Sequence, residues 1–131
     1  MNDFSNWLQH FAAAIGLQDA PQLHLERTVQ VHGVVCTLVP PPDDRQDSFT
    51  VLVDAGALNL PADNEIAELA LVRNFENFLL GAPLFLLNPE SRHLVIGQSF
   101  PMARFAPDAF ASILQALAMQ ALAWQRRGAS A

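Results

Sequence analysis

Residues 71–87, with the sequence LVRNFENFLLGAPLFLL, constrain the fold of this chain more than any other stretch. The spacing before Gly81 predicts the second half of a helix, and the LFLL run after Pro83 predicts a strand. The helix is apolar around much of its circumference, because residues of its early turns widen the stripe formed by Leu71, Phe75, Phe78 and Leu79. A helix of this kind is covered on two sides in a folded protein.

The strand that follows is also apolar on both faces, because Leu84 alternates with Phe85 and then with further leucines. Large exposed apolar patches usually mark interfaces, and two-fold homodimers are the commonest way to cover them. We therefore predict a homodimer; the alternative is that the three predicted helices alone bury this surface. The predicted interface residues are Phe75, Phe78, Leu79, Leu84 and Leu86.

The composition narrows the class of protein. The 131 residues are 51% hydrophobic, which predicts a single domain, residues 1–131, with a substantial core. The net charge is −6, the chain has no lysine, and its seven arginines are scattered, so we predict no nucleic-acid partner. The N-terminal residues lack the features of a signal peptide and no stretch is long enough to span a membrane, so we predict no membrane insertion and a cytoplasmic location.

Periodicity predicts the element order α-β-β-β-α-β-β-α, and hairpin-length connections predict an antiparallel sheet in an α+β fold. The first helix is amphipathic, and residues 27–39 form a hairpin that turns at His32-Gly33. The proline-rich residues 40–47 are predicted to form a loop. Asp63 is predicted to cap the second helix and Gly81 to end it. Apolar residues recur along the last helix at helical spacing: Phe110, Ile113, Leu114, Leu117, Ala121 and Trp124.

No pattern in the chain indicates catalysis, a cofactor or a metal ion. Cys36 is the only cysteine and is predicted to be a buried apolar residue. The histidines are scattered without the spacing of a metal site: His10, His24, His32 and His93. The acidic residues that could form a catalytic pair are predicted to lie in a loop or at a helix start, where solvent favours their charged form: Asp43, Asp44, Asp47, Glu65 and Glu68. We therefore predict that the protein is not an enzyme.

The order of elements resembles that of the bacterial type III secretion chaperones of the Tir-chaperone (CesT-like) class. The resemblance covers nearly the whole chain and is carried by five features: an opening amphipathic helix that ends in IGL, the segments VVCTLV, FTVLVDAGAL and LVRNFENFLLGAPLFLLNPESRHLVIGQSFPM, and a closing helix that ends in ALAWQRR. The chain departs from the class in the Pro40–Pro42 loop and in having no lysine. Neither departure lies in the core pattern, but the loop could alter which partner fits.

The resemblance implies a homodimer that binds the N-terminal segment of a secreted effector in extended form. Binding would use hydrophobic pockets and added-strand pairing, without ATP, and would keep the effector soluble and ready for export. Independently, a free edge of an antiparallel sheet can accept a strand, and an apolar groove beside a helix can hold a short amphipathic element. The predicted effector-contact residues are Trp7, Phe11, Leu38, Val51, Leu52 and Val95, with the alternative that most of them are ordinary core.

The sequence is also compatible with two other functions. The first is a dimeric adaptor of the same fold that binds a cytosolic regulatory protein rather than an export substrate. The second is a small enzyme with an apolar pocket between the sheet and the last helix, which the lack of convergent polar residues disfavours.

Overall fold

The computed structural model describes residues 3–16, 27–41 and 47–130, with backbone only at residues 3 and 128–130. The elements follow in the order α1 (Asp3–Ala14), β1 (Thr28–Val31), β2 (Val34–Val39), β3 (Ser48–Ala57), α2 (Asn64–Leu80), β4 (Leu84–Leu87), β5 (His93–Pro101) and α3 (Phe110–Ser130). Single turns of 3-10 helix precede α3 at Met102–Arg104 and Pro107–Ala109. The predicted α+β fold, with three helices and an antiparallel sheet, is confirmed.

The five strands form one sheet in the order β1-β2-β3-β5-β4, and every neighbouring pair is antiparallel. The β1–β2 hairpin turns at His32 and Gly33, whose φ angles are 54° and 78°. Two consecutive positive φ angles define the tight turn whose twist matches the flanking strands, and glycine adopts the second of them without strain. Strand β5 lies between β3 and β4, so β1 and β4 are the two edges of the sheet that the described strands form.

The core lies between one face of the sheet and the helices α1 and α3. In β3 this face carries Phe49, Val51, Val53 and Ala55, each almost completely buried, while the residues between them are half-buried. Above it, Phe110 at the start of α3 is fully buried among a cluster of aromatic rings. The rings whose centroids lie within 6.2 Å of the Phe110 ring belong to Trp7, Phe11, Phe49, Phe100 and Phe105.

Helix α2 contributes little to this core: Ala70 is its only fully buried residue, and Ile66 and Ala67 are half-buried against the core. It ends at Gly81, where φ is 69°, as predicted. There the Ala82 N–H donates to the Asn77 carbonyl at 2.9 Å, and the Gly81 N–H donates to the Phe78 carbonyl. This pair of bonds satisfies carbonyls that a helix terminus leaves free, and it turns the chain directly into β4.

The start of α2 differs from the prediction in one respect. Asp63 precedes the helix and is buried, but its side chain makes no capping bond to the first turn. Its carboxylate instead accepts a hydrogen bond from the Asn59 N–H at 2.7 Å. The carboxylate therefore stabilises the turn that leads into the helix rather than the helix itself.

Some of the residues named in the sequence-based predictions lie outside the described ranges. His24, Asp43 and Asp44 lie outside the described residues, as does the middle of the loop at 40–47. Over the ranges that are described, no helix is long and apolar enough to cross a membrane.

Candidate partner-binding surfaces

The most exposed large apolar side chains of the described chain lie on α2. Phe75, Phe78 and Leu79 are 74%, 72% and 74% exposed. Together with Leu71 and Leu84 they line a shallow hollow of about 350 Å³ between α2 and β4. We call Leu71, Phe75, Phe78, Leu79, Leu84 and Leu86 the α2–β4 face. The three helices therefore do not bury this surface within one copy of the chain, which was the alternative to a dimer.

The α2–β4 face continues across the solvent-facing side of the sheet. Leu86 of β4 is opposite Val95 of β5, and Leu52 of β3 is opposite Gly97 of β5. A Cβ added at Gly97 would lie 2.9 Å from Leu86 Cδ1 and 3.3 Å from Leu52 Cδ2, so both leucines lean over this glycine. The absence of a side chain at Gly97 allows the two leucines to form one continuous apolar surface.

The predicted effector-contact residues do not form a single surface. Trp7, Phe11, Leu38 and Val51 are buried in the core of the isolated protomer, with exposures of 6% or less. Of these four, Phe11 also forms part of the base of a groove described below. Periodicity places them on apolar faces, and in the fold those faces pack against each other. The other two, Leu52 and Val95, are half-buried on the sheet face that carries Leu86. The structure therefore divides the predicted set: four members lie in the core, and two lie beside the predicted dimer interface.

A second apolar surface, absent from the sequence-based predictions apart from Phe11, is a groove beside β1. It encloses about 280 Å³ between the end of α1, the strand β1 and the start of α3. We call it the β1 groove; its apolar lining residues are Phe11, Ile15, Val29, Val31, Ala111 and Leu114. Phe11 and Leu114 are buried at its base, whereas the other four are half-buried. The sequence signal for it was the alternation of Val29 and Val31 with polar residues on a short edge strand.

Among the described residues, polar side chains do not cluster on either surface in an arrangement typical of a catalytic or metal-binding site. Across the described ranges, no group of three or more His, Cys, Asp or Glu residues is placed to hold a metal ion. His93 is half-buried, and its Nδ1 lies 2.9 Å from Asp54 Oδ1. The same oxygen accepts the Gly56 N–H at 2.8 Å, where the β3–β5 register shifts. The contact between His93 and Asp54 therefore stabilises the backbone where the pairing of β3 with β5 is irregular.

Cys36 is fully buried on the core face of β2, as predicted, and its Sγ lies 3.6 Å from the Val34 carbonyl. Burial disfavours the charged thiolate and raises the pKa of the Cys36 thiol from 9.0 to about 12. Because the folded pKa is the higher one, the neutral thiol stabilises the fold fully below pH 9.0, and this contribution is lost as the pH rises towards about 12. A nucleophilic role at neutral pH would require the opposite shift.

This burial predicts the reactivity of Cys36. At about pH 8 we expect the native protein to react with a thiol reagent at least about a thousandfold more slowly than the protein unfolded in urea, because modification requires opening of the core. The measurement is the rate of colour release from 5,5′-dithiobis(2-nitrobenzoate), with a free cysteine as reference. Comparable rates for native and unfolded protein would contradict the packing of β2.

By sequence, the chain matches no protein-family model and no curated protein. By structure, it is similar to the ExsC–ExsE complex, with a TM-score of 0.68 and 19% identity over 94% of this chain and 91% of that one. It is also similar to the Yersinia pestis type III secretion chaperone SycH in complex with a stable fragment of YscM2, with a TM-score of 0.62 and 20% identity over 92% and 98% of the two chains. A third similar structure is the HopA1–SchA chaperone–effector complex, with a TM-score of 0.68 and 14% identity over 94% and 93%.

The chain has the fold of type III secretion chaperones. The matches extend over nearly the full length of both chains, so the likeness includes the whole arrangement of sheet and helices. It confirms the sequence resemblance at the level of the fold. Since one fold can carry different functions, the function has to be argued from the two apolar surfaces.

Proposed function

We propose that this protein is a homodimeric type III secretion chaperone that acts in the bacterial cytoplasm, without catalysis. It binds the N-terminal segment of a secreted effector in extended form and keeps that effector soluble and competent for export. The observation that carries the proposal is the presence of two separate apolar surfaces on this fold: the α2–β4 face and the β1 groove. Each suits a different kind of partner.

The α2–β4 face suits a second copy of the chain. It is broad, it is built on a helix and a strand, and all of its side chains except the half-buried Leu84 are exposed in the isolated protomer. A face on regular elements can pack against its own copy about a two-fold axis, so that each protomer covers the other. The half-buried Leu52 and Val95 lie at the margin of this face and belong to the proposed interface.

The β1 groove suits an extended segment of another protein. It lies beside an edge strand, so one bound peptide could pair with the backbone of β1 and place alternate side chains against Val29, Val31 and Ala111. The similar structures support this assignment in general terms, because one is a chaperone–effector complex and another is a secretion chaperone with a bound protein fragment. The net charge of −6 helps to keep a protein with so much exposed apolar surface in solution.

The experiment that tests the proposal is capture of the tagged protein from its native cells, followed by native mass spectrometry of the intact complex. We expect two copies of this chain with one copy of a larger protein that the same cells export. A dimer that carries a protein retained in the cytosol would support the adaptor function instead. A dimer stabilised by a small molecule, without any protein partner, would support an enzyme.

A charge placed in the β1 groove should weaken binding of the captured partner. Ile15→Glu puts a carboxylate among apolar side chains, and we expect at least about tenfold weaker binding, since an unpaired buried charge is costly. The matched control is Ala13→Glu, which adds the same charge two residues earlier, at an exposed position of α1. Equal affinity of both variants for the partner, measured by titration calorimetry, would remove the β1 groove from the proposal.

A further inference from the structure

The two edges of the sheet differ in whether their backbone groups have partners. In an antiparallel edge strand, alternate residues turn their N–H and C=O groups away from the neighbouring strand. In β4 these residues are Phe85 and Leu87, because the Phe85 groups bond to α2 rather than to β5. In most proteins such groups bind water or attract another strand.

Two asparagines of α2 occupy the outward groups at the start of β4. The Phe85 N–H donates to Asn74 Oδ1 at 2.6 Å, and Asn74 Nδ2 donates back to the Phe85 carbonyl at 2.9 Å. Asn77 Nδ2 donates to the Pro83 carbonyl at 2.8 Å, and proline has no N–H of its own. The side-chain amide of Asn74 thus makes the two bonds that a partner strand would make at Phe85.

The other edge has no such cover in the described ranges. Val31 and Val34 flank the two-residue turn of the β1–β2 hairpin and form a hydrogen-bonded pair, so Thr28 and Gln30 turn their backbone groups outward. The bond from the Leu38 N–H to the Arg27 carbonyl at 2.8 Å agrees with this alternation. Among the residues that the structure describes, only β2 pairs with β1.

From this contrast we infer that Asn74, assisted by Asn77, closes the β4 edge to strand addition and so leaves β1 as the edge that accepts an extended peptide. With the β4 edge closed, the α2–β4 face and the β1 edge bind their partners through different groups. Copies of the chain meet through side chains of the α2–β4 face, whereas a client meets the backbone of β1. The inference deepens the proposed function and rests on it for the identity of the peptide, but closure itself concerns only this chain.

Amide hydrogen exchange measured by NMR tests closure without any client. The backbone N–H groups of Phe85 and Leu87 both point away from β5, but only that of Phe85 is bonded to Asn74. In the wild type we therefore expect the Phe85 amide to exchange about tenfold more slowly than the Leu87 amide. In Asn74→Ala the difference should disappear, while the amide of the buried Ile96 stays protected and shows that the protein is folded. Asn64→Ala, at an exposed asparagine of the same helix, is the matched control and should leave both rates unchanged.

Sedimentation velocity over a range of protein concentrations supplies the second readout. Asn74→Ala should form assemblies larger than the wild-type species, because an exposed β4 edge can pair with another copy. Asn77→Ala, which frees only the Pro83 carbonyl, should do so to a smaller extent. A wild-type Phe85 amide that exchanges as fast as that of Leu87 would overturn the inference even if Asn74→Ala does not fold. Failure to capture a client would count against the proposed function and leave this result untouched.

Discussion

Replacement of Phe78 by aspartate is expected to give a folded monomer. The Phe78 side chain is 72% exposed in the isolated protomer, so its removal takes little apolar contact from the core. The new charge lies near the C terminus of α2, where the helix dipole makes it unfavourable by at most about 1 kcal/mol. The fold of the protomer should therefore survive the change.

The proposed dimer should not survive it. Loss of a central aromatic side chain from an interface costs about 2 kcal/mol or more, and a two-fold axis applies this cost twice. The dissociation constant should then rise at least about a thousandfold. The difference between this effect and the small effect on folding is what separates an interface residue from a core residue.

The measurement is sedimentation equilibrium of the wild type and Phe78→Asp, with circular dichroism to verify that the variant is folded. Met119→Asp is the matched control, since Met119 is 52% exposed on α3 and does not line the hollow between α2 and β4, so its change should leave the dimer intact. A folded Phe78→Asp dimer of wild-type affinity would remove Phe78 from the interface. A monomeric wild type would mean that the α2–β4 face is covered by something other than a second copy.

Replacement of Phe110 by alanine is expected to lower the free energy of unfolding by about 3–5 kcal/mol, the usual range for a buried phenylalanine. Phe110 is fully buried, and five other aromatic rings surround it, so few of its neighbours can move into the space it leaves. A domain of this size is stable by only about 5–15 kcal/mol, so the variant should be close to unfolding.

Urea titration followed by tryptophan fluorescence measures this loss, because the Trp7 ring lies 5.3 Å from the Phe110 ring. Both proteins should be compared at the same concentration, since dimer formation stabilises the folded state. Met119→Ala, at an exposed site of the same helix, is the control and should cost no more than about 0.5 kcal/mol. A cost for Phe110→Ala no larger than that of the control would mean that the aromatic cluster is not packed as described.

The local chemistry of the sequence was sufficient to predict the order of the elements and several of their ends. The hairpin turn at His32-Gly33 and the helix end at Gly81 were both predicted, because positive φ angles favour glycine strongly. Asp63 does occupy the N-cap position of α2, as predicted, but its carboxylate accepts the Asn59 N–H instead of an N–H of the first turn. A capping residue and a turn residue look alike in sequence, and only the path of the chain distinguishes them.

The surfaces were predicted less completely than the elements. The exposure of Phe75, Phe78 and Leu79 follows from a helix with more apolar circumference than one sheet can cover, and that surplus is visible in the sequence. The β1 groove was not predicted, because it is formed by α1, β1 and α3, which are far apart in the chain. No local pattern shows that Ile15 and Ala111 line the same hollow.

The sequence by itself determined which residues share a face of each element, because side-chain direction repeats every 3.6 residues in a helix and every two in a strand. Only the tertiary structure decided which of those faces is covered. The order of strands placed Leu52 and Val95 beside Leu86 on the open side of the sheet, while α1 and α3 buried Val51 and Leu38 on the other. Burial depends on contacts between distant segments, and periodicity within one segment carries no information about them.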